Sequence, residues 1–437
     1  MEAYQSNKTN WASSLTFKMA VVAIMALLLL IPLGMINNII REREETAREV
    51  ENLVAGQWGD AQTVVGPILN IPVERTKTDK DGNSYIERDW LYVMPNVLDV
   101  QSQIKPEIRY KGIYKTAVYN SSVRLDGMFV MPFAPEEIDG QIQWNKAYVT
   151  IGISDNRGIR GDVKLNWNGQ LLSCQAGTVS KEIVKSGFSA KTPLPSNGFS
   201  TEIPFSVQFD LSGSKSFSVL PLGQNSHIRL NSPWKDPNFI GSLLPQERTV
   251  GSEGFDASWN LTHLNRNFPQ YWTNKQFDVW EHSLGVELFL PVNHYQKSLR
   301  SAKYGILFIS LTLLVFVFIE LTKNKKVHLF QYLLVGLALV LFFSVLTALS
   351  EHIGFNWAYG VASVVNMAMI GIFAHGLLKD KTLTGWVVAL LLVMYGFMFV
   401  LLQLNDYAFL AGNVGLVIAL AFVMKASLKL RQNNWNE

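Results

Sequence analysis

Six stretches of this sequence are long and apolar enough to cross a membrane, and they constrain the fold more than any other feature. The first, residues 19–36, reads MAVVAIMALLLLIPLGMI and contains no charged residue. A helix rises about 1.5 Å per residue, so this run and the four residues behind it span the roughly 30 Å hydrocarbon core. A cleaved signal peptide is the competing interpretation, but no small-x-small site follows. Five further runs come late in the chain, at residues 304–321, 329–349, 357–378, 383–404 and 407–424.

We therefore predict one amino-terminal transmembrane anchor helix and a carboxy-terminal five-helix transmembrane bundle, separated by a large extramembrane domain. The chain is 48% hydrophobic and 17% charged, and most of the charge lies outside the apolar runs. A net charge of +3 excludes a strongly basic nucleic-acid binder, which needs Lys and Arg clustered on one face. Cys174 is the only cysteine, so an intrachain disulfide and a cysteine-based metal site are both excluded.

The distribution of basic residues predicts the orientation of the chain. The short loops on the side of the termini carry Lys323, Lys325, Lys326, Lys379 and Lys381. The two short opposite loops, residues 351–356 and 405–406, carry no Lys or Arg, so the positive-inside rule predicts that both termini are cytoplasmic. The predicted layout is a cytoplasmic tail (1–18), the anchor helix (19–40), a periplasmic stalk and β-rich domain (41–303), the bundle (304–424) and a second cytoplasmic tail (425–437).

The extracytoplasmic domain begins as a helix and then changes its period. Residues 41–56 mix charges at helical spacing and end at Gly56, which predicts a helical stalk. Beyond it, apolar residues alternate with polar ones, as in residues 203–211, and Asn168-Gly169 is typical of a two-residue hairpin turn. We predict a mostly antiparallel, sandwich-like β domain. Residues 233–280 are rich in aromatics but lack this alternation, and we expect loops whose rings serve structure more often than binding.

The sequence contains no familiar catalytic motif. Nucleotide-binding loops, His-Glu-x-x-His and Gly-x-Ser-x-Gly are all missing, and His227, His263, His282 and His294 share no metal-ligand spacing. We therefore predict a protein that is not an enzyme and that holds no cofactor or metal. Inside the membrane we expect only Asn366 and Asn413 to lie deep, with neither buried charges nor broken helices of the kind that transport requires.

Ordered tracts of the sequence resemble one known family. Residues 234–248 read WKDPNFIGSLLPQER and are followed by GFDASW at 254–259. With these tracts the chain resembles the CreD family of bacterial inner-membrane proteins, described as cell envelope integrity proteins, along nearly its whole length. The signature positions are Trp234, Pro237, Phe239, Gly241, Pro245, Arg248, Gly254, Phe255, Trp259 and Arg266. Residues 331–336 and 349–355 also match, and they include Glu351 and His352 at the outer end of a span.

The resemblance implies a link to envelope stress and supplies no catalytic residues. Our leading hypothesis is a non-enzymatic envelope protein that is embedded in the lipid bilayer and contacts an unknown periplasmic or cell-wall partner. The alternative is a transporter or channel for a lipid or small amphiphile. A third hypothesis, a membrane-bound hydrolase of envelope substrates, depends only on Glu351, His352 and the outer histidines. His328-Leu329 departs from the His-Pro that the family pattern has at this point.

Overall fold

The computed structural model describes residues 15–81, 83–179, 181–195, 202–273, 275–288, 294–323, 327–404 and 407–433. Within it the chain divides into two compact units, Met1–Ala47 with Val292–Glu437, and Arg48–Pro291. The first is helical and the second consists mainly of strands, which confirms the predicted fold class. The tail before residue 15, the loop with Lys325 and Lys326, residues 405–406 and residues 434–437 lie outside the described residues.

The helices of the chain are α1 (Leu15–Leu28), α2 (Leu30–Trp58), α3 (His294–Lys303), α4 (Gly305–Lys323), α5 (Leu329–Ile353), α6 (Phe355–Leu378), α7 (Lys381–Gln403) and α8 (Ala408–Asn433). Among the described residues, four helical segments are long and apolar enough to cross a membrane: Met19–Trp58, Leu329–Ile353, Phe355–Leu378 and Lys381–Gln403. The pair α3 and α4 qualifies as a fifth if it forms one bent span, and α8 contributes the shorter apolar segment Leu410–Ala421.

Local signals in the sequence set the ends of the bundle helices. His328 caps α5 by accepting a hydrogen bond from the Phe330 N–H, while the Gln331 side chain accepts one from the His328 N–H at 2.8 Å. This reciprocal cap marks the start of α5 at Leu329. At α7 the Asp380 carboxylate accepts hydrogen bonds from the backbone N–H groups of Thr382 and Leu383.

The strands of the second unit form two sheets. Strands β1 to β9 are Gln62–Thr78, Ser84–Val93, Val97–Lys111, Tyr114–Phe129, Gln141–Ile142, Tyr148–Ile153, Ile159–Trp167, Gln170–Leu172 and Gln175–Ala176. Strands β10 to β18 are Gly187–Lys191, Ile203–Ser214, Ser216–Val219, Asn225–Ser232, Pro237–Gly241, Glu247–Gly251, Gly254–Thr262, Tyr271–Trp272 and Leu284–Leu288. One sheet has the order β14-β18-β12-β1-β6-β10-β9, with β2 and β5 also paired with β1 and with β17 paired with β2. The other has the order β15-β16-β13-β3-β4-β11-β7-β8.

Both sheets bury one face against a shared core. In β11, Phe205, Val207 and Phe209 are buried while Gln208 and Asp210 between them are exposed, as the alternation predicts. The ring of Phe209 meets that of Phe188 from β10 edge to face, with 5.5 Å between the centroids, so the two sheets are in direct contact. The described pairings are antiparallel apart from β1 with β12 and β3 with β13. These observations match the predicted sandwich.

The Asn168-Gly169 turn is confirmed. Trp167 pairs with Gln170 across it, and both turn residues have a positive φ, 50° at Asn168 and 81° at Gly169. Such φ angles give a two-residue turn the twist that matches the strands on either side.

Two sequence predictions about this unit are wrong. The stalk helix does not stop at Gly56 but continues to Trp58, because Gly59 is the residue with the positive φ, 141°, and its N–H donates to the Ala55 carbonyl at 2.9 Å. Residues 233–280 are not mainly loops, since they contain β14 to β17. These strands are short, and in β16 the buried Gly254 breaks the simple alternation that Phe255, Ala257 and Trp259 follow.

The contact between the sheets gives a stability prediction. Replacing Phe209 with Ala removes a ring that bridges the two sheets and leaves a cavity, so we expect a loss of about 3–5 kcal/mol in the free energy of unfolding of the β unit. Leu171→Ala, at a side chain that is 75% exposed, is the matched control and changes it by less than about 0.5 kcal/mol. Thermal unfolding of the full chain in detergent measures both, and equal midpoints for the two variants contradict the proposed core.

Candidate functional site

The signature tract brings one strand from each sheet into contact. Phe239 in β14 meets Phe255 and Trp259 in β16 edge to face, with ring centroids 5.7 and 6.1 Å apart. Trp259 is fully buried, and its indole Nε1 donates to the Leu243 carbonyl at 3.1 Å. Large rings that interlock in this way stabilise a core beyond the area they bury. This part of the signature therefore builds the fold.

The two signature glycines also serve the fold. Gly241 and Gly254 have φ angles of 110° and 118°, and a Cβ at these positions would collide with the backbone carbonyls of Ser283 and Ser232. Backbones can approach this closely only where no side chain intervenes. Both glycines are thus required by strand packing and do not mark a ligand site.

Several signature side chains remain at least partly accessible, and we call three of them, Trp234, Phe239 and Arg248, the signature surface. Trp234 and Phe239 are half-buried, whereas Arg248 is exposed and holds its guanidinium 5.9 Å from the centroid of the Phe239 ring. The Trp234 indole Nε1 donates to the Asp236 carbonyl at 3.1 Å, which fixes the ring. Pro237 and Pro245 are half-buried as well. An arginine beside aromatic rings is a composition that recurs at the centre of protein interfaces.

Arg266 is a buried cation held by neutral groups. The residue is 8% exposed, and its guanidinium lies 4.3 Å from the centroid of the Phe268 ring. It donates to the carbonyls of Phe268, Pro269 and Gly223 at 3.4–3.5 Å and to the Gln270 side chain. Burial lowers the pKa of Arg266 to about 10, because the charged form loses water without gaining an anion among its described partners.

The neighbour of Arg266 extends this cluster to a third segment. The Gln270 side chain donates through Nε2 to the carbonyls of Met94 and Pro95 at 3.0 and 2.6 Å. Arg266 and Gln270 together tie residues 94–95, 223 and 266–270 to one another. The arrangement is that of a structural clamp.

Glu351 and His352 are not brought together. The Tyr295 hydroxyl donates to Glu351 Oε1 at 3.0 Å, while His352 next to it is exposed. Successive residues on a helix diverge by about 100°, which explains why the acid and the imidazole face apart. Of the outer histidines, His282 accepts a hydrogen bond from the Asn267 N–H and His227 contacts the Asn260 side chain. No group of three or more metal-ligating side chains occurs among the residues that the structure describes.

The helical bundle contains a buried polar network that the sequence interpretation missed. Asn366 donates to the Ala338 carbonyl at 2.6 Å and accepts from the Tyr395 hydroxyl at 2.9 Å. The Tyr359 hydroxyl donates to the Tyr395 carbonyl at 2.8 Å, and all three side chains are buried. The sequence analysis placed Asn366 deep in the membrane, but it did not consider the two tyrosines. The sequence did contain a signal for this network, because both tyrosines place a hydroxyl in the middle of a charge-free run.

The bundle also contains a bent helix pair, at the residue where the second apolar run begins. α3 and α4 meet at 41°, with Tyr304 between them. The Tyr304 N–H donates to the Ser301 carbonyl and the Leu307 N–H to the Tyr304 carbonyl, at 3.1 and 3.0 Å, so the backbone tightens locally to i→i−3 bonds. Near the bend, the hydroxyls of Ser298, Ser301 and Thr312 are buried without a hydrogen-bond partner in the structure.

Comparison with known proteins identifies the family. The sequence profile of the family described as "Inner membrane protein CreD" matches residues 14–436. The chain belongs to the CreD family. It is similar to the inner membrane protein CreD of Escherichia coli (strain K12), with 34% identity over 419 residues that cover 94% of this chain and 92% of the relative. Membership of the CreD family makes it an inner-membrane protein, in agreement with its apolar helices.

Similarity to solved structures is weak for this CreD family member. Crystal structures of the M1 zinc metallopeptidase from Deinococcus radiodurans and of a mutant of it are 10% identical to the chain, with TM-scores of 0.22 and 0.23. Each match covers 44% of this chain and 42% of the metallopeptidase, which is less than half of either. Likeness at this level supports no inference about fold or function.

Two arginines of the CreD signature give opposite predictions. Arg266→Ala removes the donor to the carbonyls of Phe268 and Pro269 and to the Gln270 side chain, so we expect it to reduce the free energy of unfolding of the β unit by about 3 kcal/mol. Arg248→Ala removes an exposed side chain and should change it by no more than about 0.5 kcal/mol. Thermal unfolding and the level of protein in membranes measure the difference. An unfolding midpoint of Arg266→Ala equal to that of the unaltered chain would rule out the clamp.

Proposed function

We propose that this chain is a multi-pass inner-membrane protein that supports cell envelope integrity under stress by binding a partner and not by catalysis. The β unit is the binding part, and it lies in the periplasm with both termini of the chain in the cytoplasm. The partner is a periplasmic protein or a component of the cell wall. The main support for this proposal is that the signature residues fall into two groups. Most of them build the fold, whereas the three residues of the signature surface stay accessible.

The contacts of the signature surface support binding. Arg248 lies over the Phe239 ring and forms no hydrogen bond with a carboxylate among its described contacts. Its guanidinium can therefore donate to an acidic or carbonyl group of a partner. The Trp234 ring is fixed by its bond to the Asp236 carbonyl, so little entropy is lost when a partner covers it. Fixed aromatics and arginine supply much of the energy at measured interfaces.

The positions of Glu351 and His352 support a role without catalysis. A general acid and base must both reach the reacting group, and here the carboxylate is held by Tyr295 while the imidazole faces elsewhere. The orientation of the chain is supported by the basic short loops on the side of the termini.

The binding role is tested in cells that lack the native gene and carry single-residue variants. Trp234→Ala and Arg248→Ala should each weaken partner binding by about 1–3 kcal/mol, as expected for interface anchors, and should abolish protection against envelope stress at normal protein level. Arg124→Ala, an exposed arginine paired with Asp126 on β4, is the control and should protect fully. Survival under stress and the amount of protein in membranes are measured together.

The outcome that contradicts the binding role is full protection by both signature variants. Trp259→Ala is unsuitable for this test, because a fully buried ring makes loss of folding indistinguishable from loss of binding.

A second candidate function is transport of a lipid or small amphiphile through the bundle. The observation that favours it is the bend between α3 and α4 together with the buried, unpartnered hydroxyls of Ser298, Ser301 and Thr312. Discontinuous helices and polar groups inside a bundle are features of transporter binding sites. The Asn366, Tyr395 and Tyr359 network lies in the same bundle and would couple α5, α6 and α7.

Transport is tested by reconstituting the full chain and its Asn366→Leu and Glu351→Gln variants in vesicles with a fluorescent lipid. Asn366→Leu removes both the acceptor of the Tyr395 hydroxyl and the donor to the Ala338 carbonyl. If the bundle transports lipid, this change should slow flux about ten-fold, because it weakens the coupling between helices by about 1–2 kcal/mol. Asn356→Leu, at an exposed position, is the control. Flux through the unaltered chain no faster than through empty vesicles excludes this candidate.

A further inference from the structure

The hairpin of β3 and β4 projects beyond the sheet to which it belongs. β3 pairs with β13 only as far as Gln103, and β4 pairs with β11 only as far as Val118. The pairing of β3 with β4 continues to Lys111 and Tyr114. Beyond the Glu107–Val118 pair neither strand pairs with another described strand of the sheet, over roughly 13 Å at about 3.3 Å per residue. An isolated two-stranded ribbon is only marginally stable in water, so its tip gains from further contacts.

The composition of this tip is that of a membrane-interface segment. Residues 105–115 read KPEIRYKGIYK, with four basic residues and one acidic residue. Tyr110 is 65% exposed, Ile108 40% and Ile113 37%. Lys115 lies 5.7 Å from the centroid of the Tyr110 ring, so charge and ring are presented together. Lys and Arg beside exposed aromatic and aliphatic side chains bind anionic lipid surfaces through the charge and enter the headgroup layer through the rings.

A second hairpin in the same unit has similar exposed side chains but the opposite charge. At the β1–β2 hairpin, Tyr85 is 49% and Ile86 60% exposed. Residues 77–87 contain two lysines against three acidic residues, and Lys77 is already paired with Glu87 at 2.7 Å. Apolar exposure is therefore shared by both hairpins, whereas the basic excess belongs to the β3–β4 tip.

The base of the tip is attached to the end of α2. The Arg109 guanidinium lies 4.7 Å from the centroid of the Trp58 ring, and the Trp58 indole Nε1 donates to the Tyr119 carbonyl at 3.2 Å. These contacts hold the hairpin against the last turn of the helix.

A second contact attaches the hairpin to the same helix. The Lys215 N–H donates to the Ala117 carbonyl of β4 at 3.4 Å, and the Lys215 ammonium donates to Asn52 Oδ1 at 2.6 Å. Asn52 precedes Trp58 in α2, so both contacts attach the hairpin to the last two turns of this helix, whose other end is its amino-terminal end. In the sequence, that end leads toward the apolar run at residues 19–36.

We propose that the β3–β4 tip, residues 105–115, docks on the anionic headgroups of the lipid bilayer that holds the chain. Lys105, Lys111 and Lys115 meet the phosphates, and Tyr110 and Ile113 enter the interfacial layer. The membrane is the partner that fits, because basic charge, exposed rings and attachment to the membrane-leading helix coincide at one place. The proposal depends on the chain being an inner-membrane protein and not on the proposed binding of an envelope partner.

The test uses the full chain in lipid nanodiscs with a single fluorescent label. Cys174 is first changed to Ser, and a cysteine for the environment-sensitive label is placed by Ile113→Cys at the tip or by Ile86→Cys at the control hairpin. The nanodiscs contain phosphatidylcholine alone or mixed in equal parts with phosphatidylglycerol, with bromine on the acyl chains as a quencher. We expect the label at position 113 to shift to the blue and lose most of its fluorescence in the anionic discs, while the label at position 86 changes little.

Charge reversal separates lipid docking from simple proximity. Lys111→Glu combined with Lys115→Glu, both at exposed positions, should return the quenching at position 113 to the level at position 86 without changing thermal unfolding. Added salt should have the same effect, since exposed charges are screened within about 8–10 Å. Three results would each overturn the proposal. They are equal quenching at both labels, no quenching at position 113, and quenching at position 113 that changes neither with phosphatidylglycerol nor with charge reversal. The result of no quenching would favour an acidic protein or cell-wall partner for the tip.

Discussion

The requirement that every buried backbone polar group has a partner governs this protein, because its chain is divided between two solvents. Hydrocarbon offers no hydrogen bonds, so the apolar runs can cross it only as helices, which satisfy their own N–H and C=O groups. In water the same requirement is less strict, and the segment between the first and second apolar runs forms two sheets with turns, edges and a projecting hairpin. The helical and sheet units of the chain are consequences of this one constraint.

The same requirement separates two kinds of polar group inside the bundle. Asn366, Tyr395 and Tyr359 are satisfied by one another and by backbone carbonyls, so they lock helices together. The hydroxyls of Ser298, Ser301 and Thr312 are buried without such partners in the structure. Satisfied networks rigidify a bundle, whereas unpartnered groups have hydrogen-bonding capacity left for water or a ligand. This difference is why the bundle supports a second candidate function at all.

Features set by neighbouring residues could be predicted from the sequence, and features set by distant ones could not. The alternation in residues 203–211 predicted β11, and Asn168-Gly169 predicted the turn between β7 and β8, because both depend on a few adjacent residues. The pairing of β14 with β18 could not be predicted, because the two strands lie far apart along the chain. The bend at Tyr304 and the partners of Tyr359 and Tyr395 likewise depend on helix packing.

The candidate site shows the same limit. The signature tract was sufficient to recognise the family, but the sequence did not separate its structural residues from its accessible ones. Trp234 and Trp259 look alike in the sequence, yet Trp259 is fully buried between the sheets and Trp234 is half-exposed. Arg248 and Arg266 differ in the same way, one exposed beside Phe239 and the other enclosed by carbonyl groups. Only the packing of the two sheets assigns these roles.

The central claim is that the β unit lies in the periplasm and the tails lie in the cytoplasm. It is tested most directly by measuring how fast single cysteines react with a maleimide in intact spheroplasts. In the Cys174→Ser background, a single cysteine replaces Gly169 at the β7–β8 turn or Lys425 in the carboxy-terminal tail, and a membrane-impermeant maleimide is added before or after lysis. The account predicts that position 169 reacts in spheroplasts and that position 425 reacts only once they are lysed. Reaction of position 425 in intact spheroplasts, with position 169 protected, would contradict it.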